Sequence, residues 1–104
     1  MHNFSQMRVV AIGSRGFVSG FELAGMDGVK VDNSDEAWAH IQNYMKQSDV
    51  SLILVSDDLA KPIHDKITEV RTKQAMPLIY EIPAPGSKRE KVEYRDMLKS
   101  ILGV

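Results

Sequence analysis

The sequence contains no cysteine, which excludes disulfide bonds, thiol chemistry and cysteine-based metal sites. No apolar run approaches the ~20 residues that a membrane-spanning helix requires, and residues 1–6 lack the basic and apolar blocks of a signal peptide. Neither sign of charge dominates, because 13 basic residues stand against 14 acidic ones, so no overall field favours nucleic acid or an anionic membrane. We therefore expect a cytoplasmic protein that neither binds nucleic acid nor inserts into a membrane.

The motifs that usually accompany catalysis or cofactor binding are missing as well. In the glycine-rich stretch 12–26, Arg15 stands where a dinucleotide-binding fingerprint needs its second glycine, and the lysine of a phosphate-binding loop is absent. The histidines are scattered without metal-ligand spacing, and no G-x-S-x-G nucleophile motif occurs. The sequence therefore predicts a binding module without catalytic residues, cofactor or metal. A small nucleotide-binding protein that uses residues 13–16 stays open as an alternative.

Strand and helix signals alternate along the chain. Continuous apolar runs, typical of parallel strands covered on both faces, and shorter β-branched runs predict strands at 7–12, 29–31, 51–55 and 78–82. Helical spacing and capping residues predict helices at 17–24, from 33 or 34 to about 47, and from Pro62 onward, with a short turn at 57–61. This order predicts an α/β fold: a small parallel four-stranded sheet of order 2-1-3-4 with helices on both faces, receiver-like or flavodoxin-like, plus a C-terminal helix.

Residues 83–86, with the sequence PAPG, break the chain sharply after the last predicted strand. Ser87 and Glu90 fit a capping box, so a separate amphipathic helix is predicted to follow. Its apolar stripe must be covered by the chain's own sheet or by a partner, and both alternatives stay open. We expect an extension without structure at 1–6, a globular domain at 7–83, and a hinge with an amphipathic helix at 84–104.

Asp57 and Asp58 follow the third strand, where receiver domains carry the aspartate that is phosphorylated. Such a site also needs carboxylates after the first strand to bind Mg²⁺, but the chain has Ser14 and Arg15 there. A lysine after a later strand is missing too. The two aspartates are therefore predicted to begin a helix, where its dipole favours anions. A degenerate receiver-like interaction domain without phosphorylation is the alternative function.

Three segments together resemble the F subunit of the V-type/A-type (rotary) ATP synthases: GFELAG at 20–25, ILVSDDLA at 53–60 and PLIYEIP at 77–83. The resemblance covers essentially residues 7–104, with the departure that Ser14 and Arg15 stand where family members often carry an acidic residue. The motif residues expected to be structural are Gly20, Phe21, Leu23, Ala24, Gly25, Pro77, Ile82 and Pro83. Gly20 is expected to let its helix approach the sheet closely, and Gly25 to end that helix. If Phe21 and Leu23 are fully buried, alanine at either position should cost about 2 to 5 kcal/mol.

The resemblance implies a non-catalytic rotor subunit of the central stalk, which binds the D subunit and couples ATP synthesis or hydrolysis to proton or ion transport. The nucleotide sites would belong to the A and B subunits, and the C-terminal helix would contact the A/B hexamer and move relative to the globular part. The partner-binding stripe expected on that helix consists of Tyr94, Met97, Leu98 and Ile101. The implied location is peripheral, at the inner face of the cell membrane as part of the complex.

Overall fold

The computed structural model describes residues 7–84 and, beyond them, positions 96 and 100. Its centre is a four-stranded parallel sheet of order β2-β1-β3-β4. The strands are Arg8–Gly13 (β1), Asp27–Lys30 (β2), Val50–Ser56 (β3) and Leu78–Ile82 (β4). The predicted α/β fold and strand order are confirmed, and β4 has the predicted bounds. The extension expected at 1–6, and the hinge and helix expected at 84–104 apart from Ala84 and positions 96 and 100, lie outside the described residues.

The first two helices begin at capping residues that the sequence offers. They are Arg15–Leu23 (α1), Ser34–Met45 (α2), Asp57–Ala60 (α3) and His64–Lys73 (α4), and the 3₁₀ turn Lys61–Ile63 joins the last two. In α2 the side chain of Asn33 accepts a hydrogen bond from the backbone N–H of Glu36 at 2.9 Å, as predicted. α1 begins earlier than predicted because the Ser14 hydroxyl accepts the N–H of Phe17 at 3.5 Å and caps the helix there.

The core is divided by the sheet into two clusters. The face covered by α2 and α4 buries Val10, Ile12, Val31, Ala37, Ile41, Val50, Ile53, Val55, Ala60, Ile63, Ile67 and Ile79. The face covered by α1 buries Ala11, Phe17, Val18, Phe21, Leu54 and Ile82. Successive strand residues point to opposite faces, so apolar side chains fill both faces of β1 and β3 and their sequences read as continuous apolar runs. The α1 face is the less completely covered of the two.

Arg8 joins three parts of the chain at the amino ends of the strands. Its Nε donates to Asp27 at 2.8 Å, and its Nη1 donates to Gln47 at 3.1 Å and to Asp49 at 3.3 Å. The guanidinium carbon also lies 5.8 Å from the ring centroid of Tyr44. The hydrogen bond to Asp27, followed by that to Asp49, raises the pKa of Arg8 above its ordinary value. The stability that these two hydrogen bonds contribute is therefore fully present at neutral pH and is lost only as the pH rises beyond the ordinary pKa of arginine.

We expect Arg8→Ala to lower the free energy of unfolding by about 1 kcal/mol, because the Arg8 side chain is 36% exposed and water screens its ion pairs. Urea unfolding at pH 7 measures this difference. Arg8→Lys should recover only part of it, since an ammonium group cannot reproduce the planar fork that reaches both carboxylates. Lys30→Ala is the matched control: it removes one exposed pair, with Asp32 at 3.2 Å, and should change stability by less than about 0.5 kcal/mol. Equal losses in the two alanine variants would contradict the argument.

Candidate interaction surface

The loop between β1 and α1 is built for packing. A Cβ atom on Gly13 would lie 2.6 Å from Cδ2 of Phe17, a residue that is 1% exposed, so the absence of a side chain lets the Phe17 ring approach the strand. Ser14 caps α1 and Arg15 is its first residue. Within the described residues Gly25 alone has a positive φ, so 13–16 lack the left-handed residue that an anion-binding nest requires. The geometry thus supports a tight turn with close packing.

The two aspartates after β3 accept hydrogen bonds, one from a hydroxyl group and one from a backbone N–H group. Asp58 accepts the Ser56 hydroxyl at 2.7 Å, and Asp57 accepts the backbone N–H of Ala84 at 3.2 Å. Both lie in the first turn of α3, as predicted from the helix dipole. In the part of the chain that the structure describes, no three side chains of the His, Asp and Glu types are grouped to hold a metal ion.

Glu81, inside the edge strand β4, contacts a histidine and an arginine of α4. Its Oε2 lies 2.9 Å from His64 Nδ1 and 3.6 Å from Arg71 Nη2. Arg71 Nη2 also donates to the backbone carbonyl of Ile79 at 2.7 Å, so α4 is held against β4. Sequence reasoning did not find this group, because Glu81 and His64 are 17 residues apart and only the fold brings them together. The one available signal was a carboxylate within an apolar strand.

The GFELAG segment combines one core residue with an exposed surface. Phe21 is 1% exposed, and its ring centroid lies 5.1 Å from that of Phe17. Leu23 is 91% exposed, and a Cβ atom on Gly20 would meet nothing within 4 Å. The expected close approach of Gly20 to the sheet is therefore wrong, and Leu23 is not a core residue. The reason is helical geometry, since Leu23 lies about 200° around the helix axis from Phe21.

Gly25 ends α1 as predicted. Its φ is +88°, its N–H donates to the carbonyl of Glu22 at 3.0 Å, and the N–H of Met26 donates to the carbonyl of Phe21 at 3.1 Å. These two hydrogen bonds form a Schellman motif, which satisfies carbonyl groups that the end of a helix otherwise leaves unpaired. A residue with a Cβ atom is strained at this φ, so the last glycine of GFELAG has a structural role.

The solvent side of α1, which we call the outer face of α1, consists of Gly16, Ser19, Gly20 and Leu23. All four residues are exposed. The Ser19 hydroxyl donates to the carbonyl of Arg15 at 2.6 Å, so it is engaged by its own helix. The outer face of α1 is therefore a narrow, uncharged surface of small residues from which one leucine projects. Small side chains at a contact allow two helices to pack at short interaxial distance.

The PLIYEIP segment leaves part of the sheet uncovered. Pro77, Ile79 and Ile82 are buried, whereas Leu78 and Tyr80 are 46% and 45% exposed. Leu78 and Tyr80 share the face of Ile82 because strand side chains alternate, and they lie beside Leu52 and Leu54 of β3. We call Leu52, Leu78 and Tyr80 the β4 face. The partner-binding residues expected from the sequence, Tyr94, Met97, Leu98 and Ile101, lie outside the described residues.

Comparison with known proteins identifies relatives of nearly the whole chain. Residues 9–101 match the family model of the ATP synthase (F/14-kDa) subunit. The A-type ATP synthase F subunit of Methanothermobacter thermautotrophicus is 33% identical over 99 residues, which cover 92% of this chain and 92% of the relative. The F subunits of Methanosphaera stadtmanae and Methanocaldococcus jannaschii are 30% and 28% identical, with coverage of 84% and 94% of this chain and 84% and 97% of the relatives. Among the helices that the structure describes, none has the length and apolar character needed to cross a membrane.

Proposed function

The chain belongs to the ATP synthase (F/14-kDa) subunit family and is a subunit of an ATP synthase complex, within which we propose that it is the non-catalytic F subunit of the central stalk. It binds the D subunit and turns with it inside the hexamer of A and B subunits, and so couples ATP synthesis or hydrolysis to ion transport. Its location is peripheral, on the cytoplasmic side of the membrane. Similarity to relatives named as F subunits, along most of their length, supports this role.

The outer face of α1 is the observation that carries the proposal. Leu23 projects into solvent beside Gly20, and no described neighbour lies within 4 Å of the position that a Cβ atom on Gly20 would occupy. This face belongs to the GFELAG segment, through which the chain resembles its family, and its exposed leucine does not pack in the core of the domain, which favours a binding role. The D subunit, which the family resemblance implies is a long coiled coil, is the proposed occupant, because one of its helices would approach closely over Gly16 and Gly20 and contact Leu23.

The proposal predicts that the chain forms a stoichiometric complex with the D subunit of the same organism. Both proteins are co-expressed, with an affinity tag on the D subunit alone, and the complex is purified in mild salt. An apolar helix contact is only weakly screened, so the complex should persist when the salt concentration is raised. Purification of the D subunit without this chain under these conditions would contradict the proposal.

The amphipathic helix expected after the hinge, within 84–104, is proposed to contact the A/B hexamer through Tyr94, Met97, Leu98 and Ile101 and to influence the rate of ATP hydrolysis. An apolar stripe on an amphipathic helix requires a cover, and charge placed on it opposes burial. In a reconstituted complex, Leu98→Glu combined with Ile101→Glu should therefore change the hydrolysis rate, whereas Lys99→Glu should not. Equal rates in both variant complexes and in the unsubstituted one would argue against contact between this stripe and the hexamer.

A further inference from the structure

Helix α1 carries its charged residues at the ends where they oppose the helix dipole. Arg15 is its first residue and Glu22 its last but one, and the helix has no acidic residue in its first turn and no basic residue in its last. By contrast, α2 begins with two acidic residues and α4 ends with two basic ones. A cation at the N-terminus and an anion at the C-terminus each destabilise a helix slightly. The stability of α1 itself therefore does not explain the placement of these two charges.

Arg15 and Glu22 flank the outer face of α1 on the same side. They are seven residues apart, which separates them by about 10 Å along the helix axis but only by about 20° around it. On that side the side chain of Glu22 lies over β2, where a Cβ atom on Gly28 would be 2.7 Å from its Cγ. Both charged residues are exposed, and among the described residues neither forms an ion pair. Both charges are therefore available to a partner.

We propose that this partner, when the chain is free of other subunits, is a second copy of the chain, bound with the two α1 helices antiparallel about a twofold axis. Arg15 of each copy lies beside Glu22 of the other. Leu23 of each copy packs over Gly16 and Gly20 of the other. This inference goes beyond the proposed role in the complex and does not depend on the binding of the D subunit.

The antiparallel arrangement brings unlike charges together at both ends of the contact. A twofold axis perpendicular to the helices exchanges their ends, while residues on one side of the contact stay on that side. Arg15 and the positive end of one helix dipole then meet Glu22 and the negative end of the other, and this occurs twice in each dimer. Charges that are unfavourable within one helix thus become complementary between two.

The uncharged residues of the outer face of α1 fit each other under the same axis. Leu23 is 91% exposed, and a Cβ atom on Gly16 or Gly20 would meet nothing within 4 Å. Because Leu23 follows Gly16 by seven residues as well, the axis that pairs the charges also brings Leu23 of one copy over Gly16 of the other, within about 1.5 Å along the helix. The projecting leucine then covers small residues, a fit that allows two helices to pack closely.

The size of the contact predicts a weak, reversible dimer. The helix α1 has nine residues and is about 14 Å long, so a contact between two such helices buries less than the roughly 1,200 Å² of a standard stable interface. The dimer is therefore expected only at high protein concentration. Together with the proposed contact of the D subunit, which uses the same face, the dimer implies that the two kinds of pairing exclude each other.

Charge reversal in the isolated full-length chain tests the pairing, with sedimentation equilibrium as the measurement. The variant Arg15→Glu has an acidic residue at both positions, and Glu22→Arg has a basic residue at both. Each variant alone should self-associate at least tenfold more weakly than the unsubstituted chain, because like charges face each other in its dimer. An equimolar mixture of the two restores both unlike pairs, and it should associate at least tenfold more tightly than either variant alone.

The matched control is a mixture of Lys66→Glu with Glu69→Arg. These substitutions change the net charge by the same amounts, but both residues are exposed on α4, at the opposite face of the sheet. Each control variant should self-associate like the unsubstituted chain, and their mixture should associate no more tightly than either alone. Thermal unfolding verifies the folds, and both α1 variants should melt at or above the temperature of the unsubstituted chain, because their charges agree with the helix dipole.

Four outcomes would overturn the inference: an unsubstituted chain that stays monomeric up to about 1 mM, single α1 variants that associate like it, a mixture of them that associates no better, or an equal gain in the control mixture. If either α1 variant is unfolded, Gly20→Leu is tested instead. It adds bulk between the helices and should weaken self-association at least tenfold, and unchanged self-association would overturn the inference. Because only the free chain is used, a failure here is distinguishable from a failure to bind the D subunit.

Discussion

Replacing Phe21 with alanine is expected to lower the free energy of unfolding by about 3 to 5 kcal/mol, the usual loss for a buried phenylalanine. Phe21 is 1% exposed and its ring packs against Phe17. The cluster on the α1 face is the smaller of the two, so few neighbours are present to fill the cavity. Urea unfolding, followed by the fluorescence of the single tryptophan Trp38, measures the loss of stability. Trp38 packs on the opposite face of the sheet from Phe21.

Leu23→Ala is the control for this prediction, because it removes a large apolar side chain from the same helix only two residues away. With Leu23 91% exposed, the change should alter stability by less than about 0.5 kcal/mol. The pair separates the effect of burial from the effect of residue type. A loss in Leu23→Ala comparable to that in Phe21→Ala would show that Leu23 packs within the domain in solution.

Replacing Leu23 with lysine should weaken the binding of the D subunit at least thirtyfold, since truncation of a central interface residue commonly costs about 2 kcal/mol or more. The lysine places a charge in the apolar contact. It should leave the fold intact, because a cation is favourable in the last turn of a helix and the side chain is exposed. Isothermal titration of the variant with the D subunit measures the effect, and thermal unfolding verifies the fold.

Two further variants separate charge from shape at this contact. Thr68→Lys adds the same charge on α4, outside the outer face of α1, and should bind the D subunit like the unsubstituted chain. Gly20→Leu adds apolar surface to the outer face of α1, yet it should weaken binding because the bulk keeps a partner helix at a distance. Unchanged affinity in both Leu23→Lys and Gly20→Leu would place the contact with the D subunit elsewhere on the chain.

The strand order and the helix caps were predictable because their causes are local or repeat regularly along the chain. The side chain of Asn33 and the positive φ of Gly25 act within a few residues, and the apolar run of β3 reflects burial on both faces. The regular alternation of strands and helices then allows few sheet topologies.

The features that could not be predicted from the sequence depend on the register of distant segments or on the direction of a side chain. The contacts of Arg8 with Asp27 and Asp49 span 19 and 41 residues, and no local pattern signals them. Leu23 was expected to be structural because it is apolar and belongs to the family motif. Its position about 200° around the helix axis from Phe21, however, indicates a side chain exposed to solvent. The surface proposed to bind a partner was therefore misassigned as packing, although the motif itself was recognised.

The bond between Asp57 and Ala84 also has a mechanical consequence. A force that pulls on the chain beyond Ala84 acts first on this hydrogen bond. The force is then transmitted along β4, which is parallel to β3 and paired with it from Leu78 to Ile82. The hydrogen bonds of the ladder lie across the direction of such a force, so they are loaded in shear and must break together. A force applied to the C-terminal segment would therefore be transmitted to the centre of the sheet, which would respond as a rigid unit.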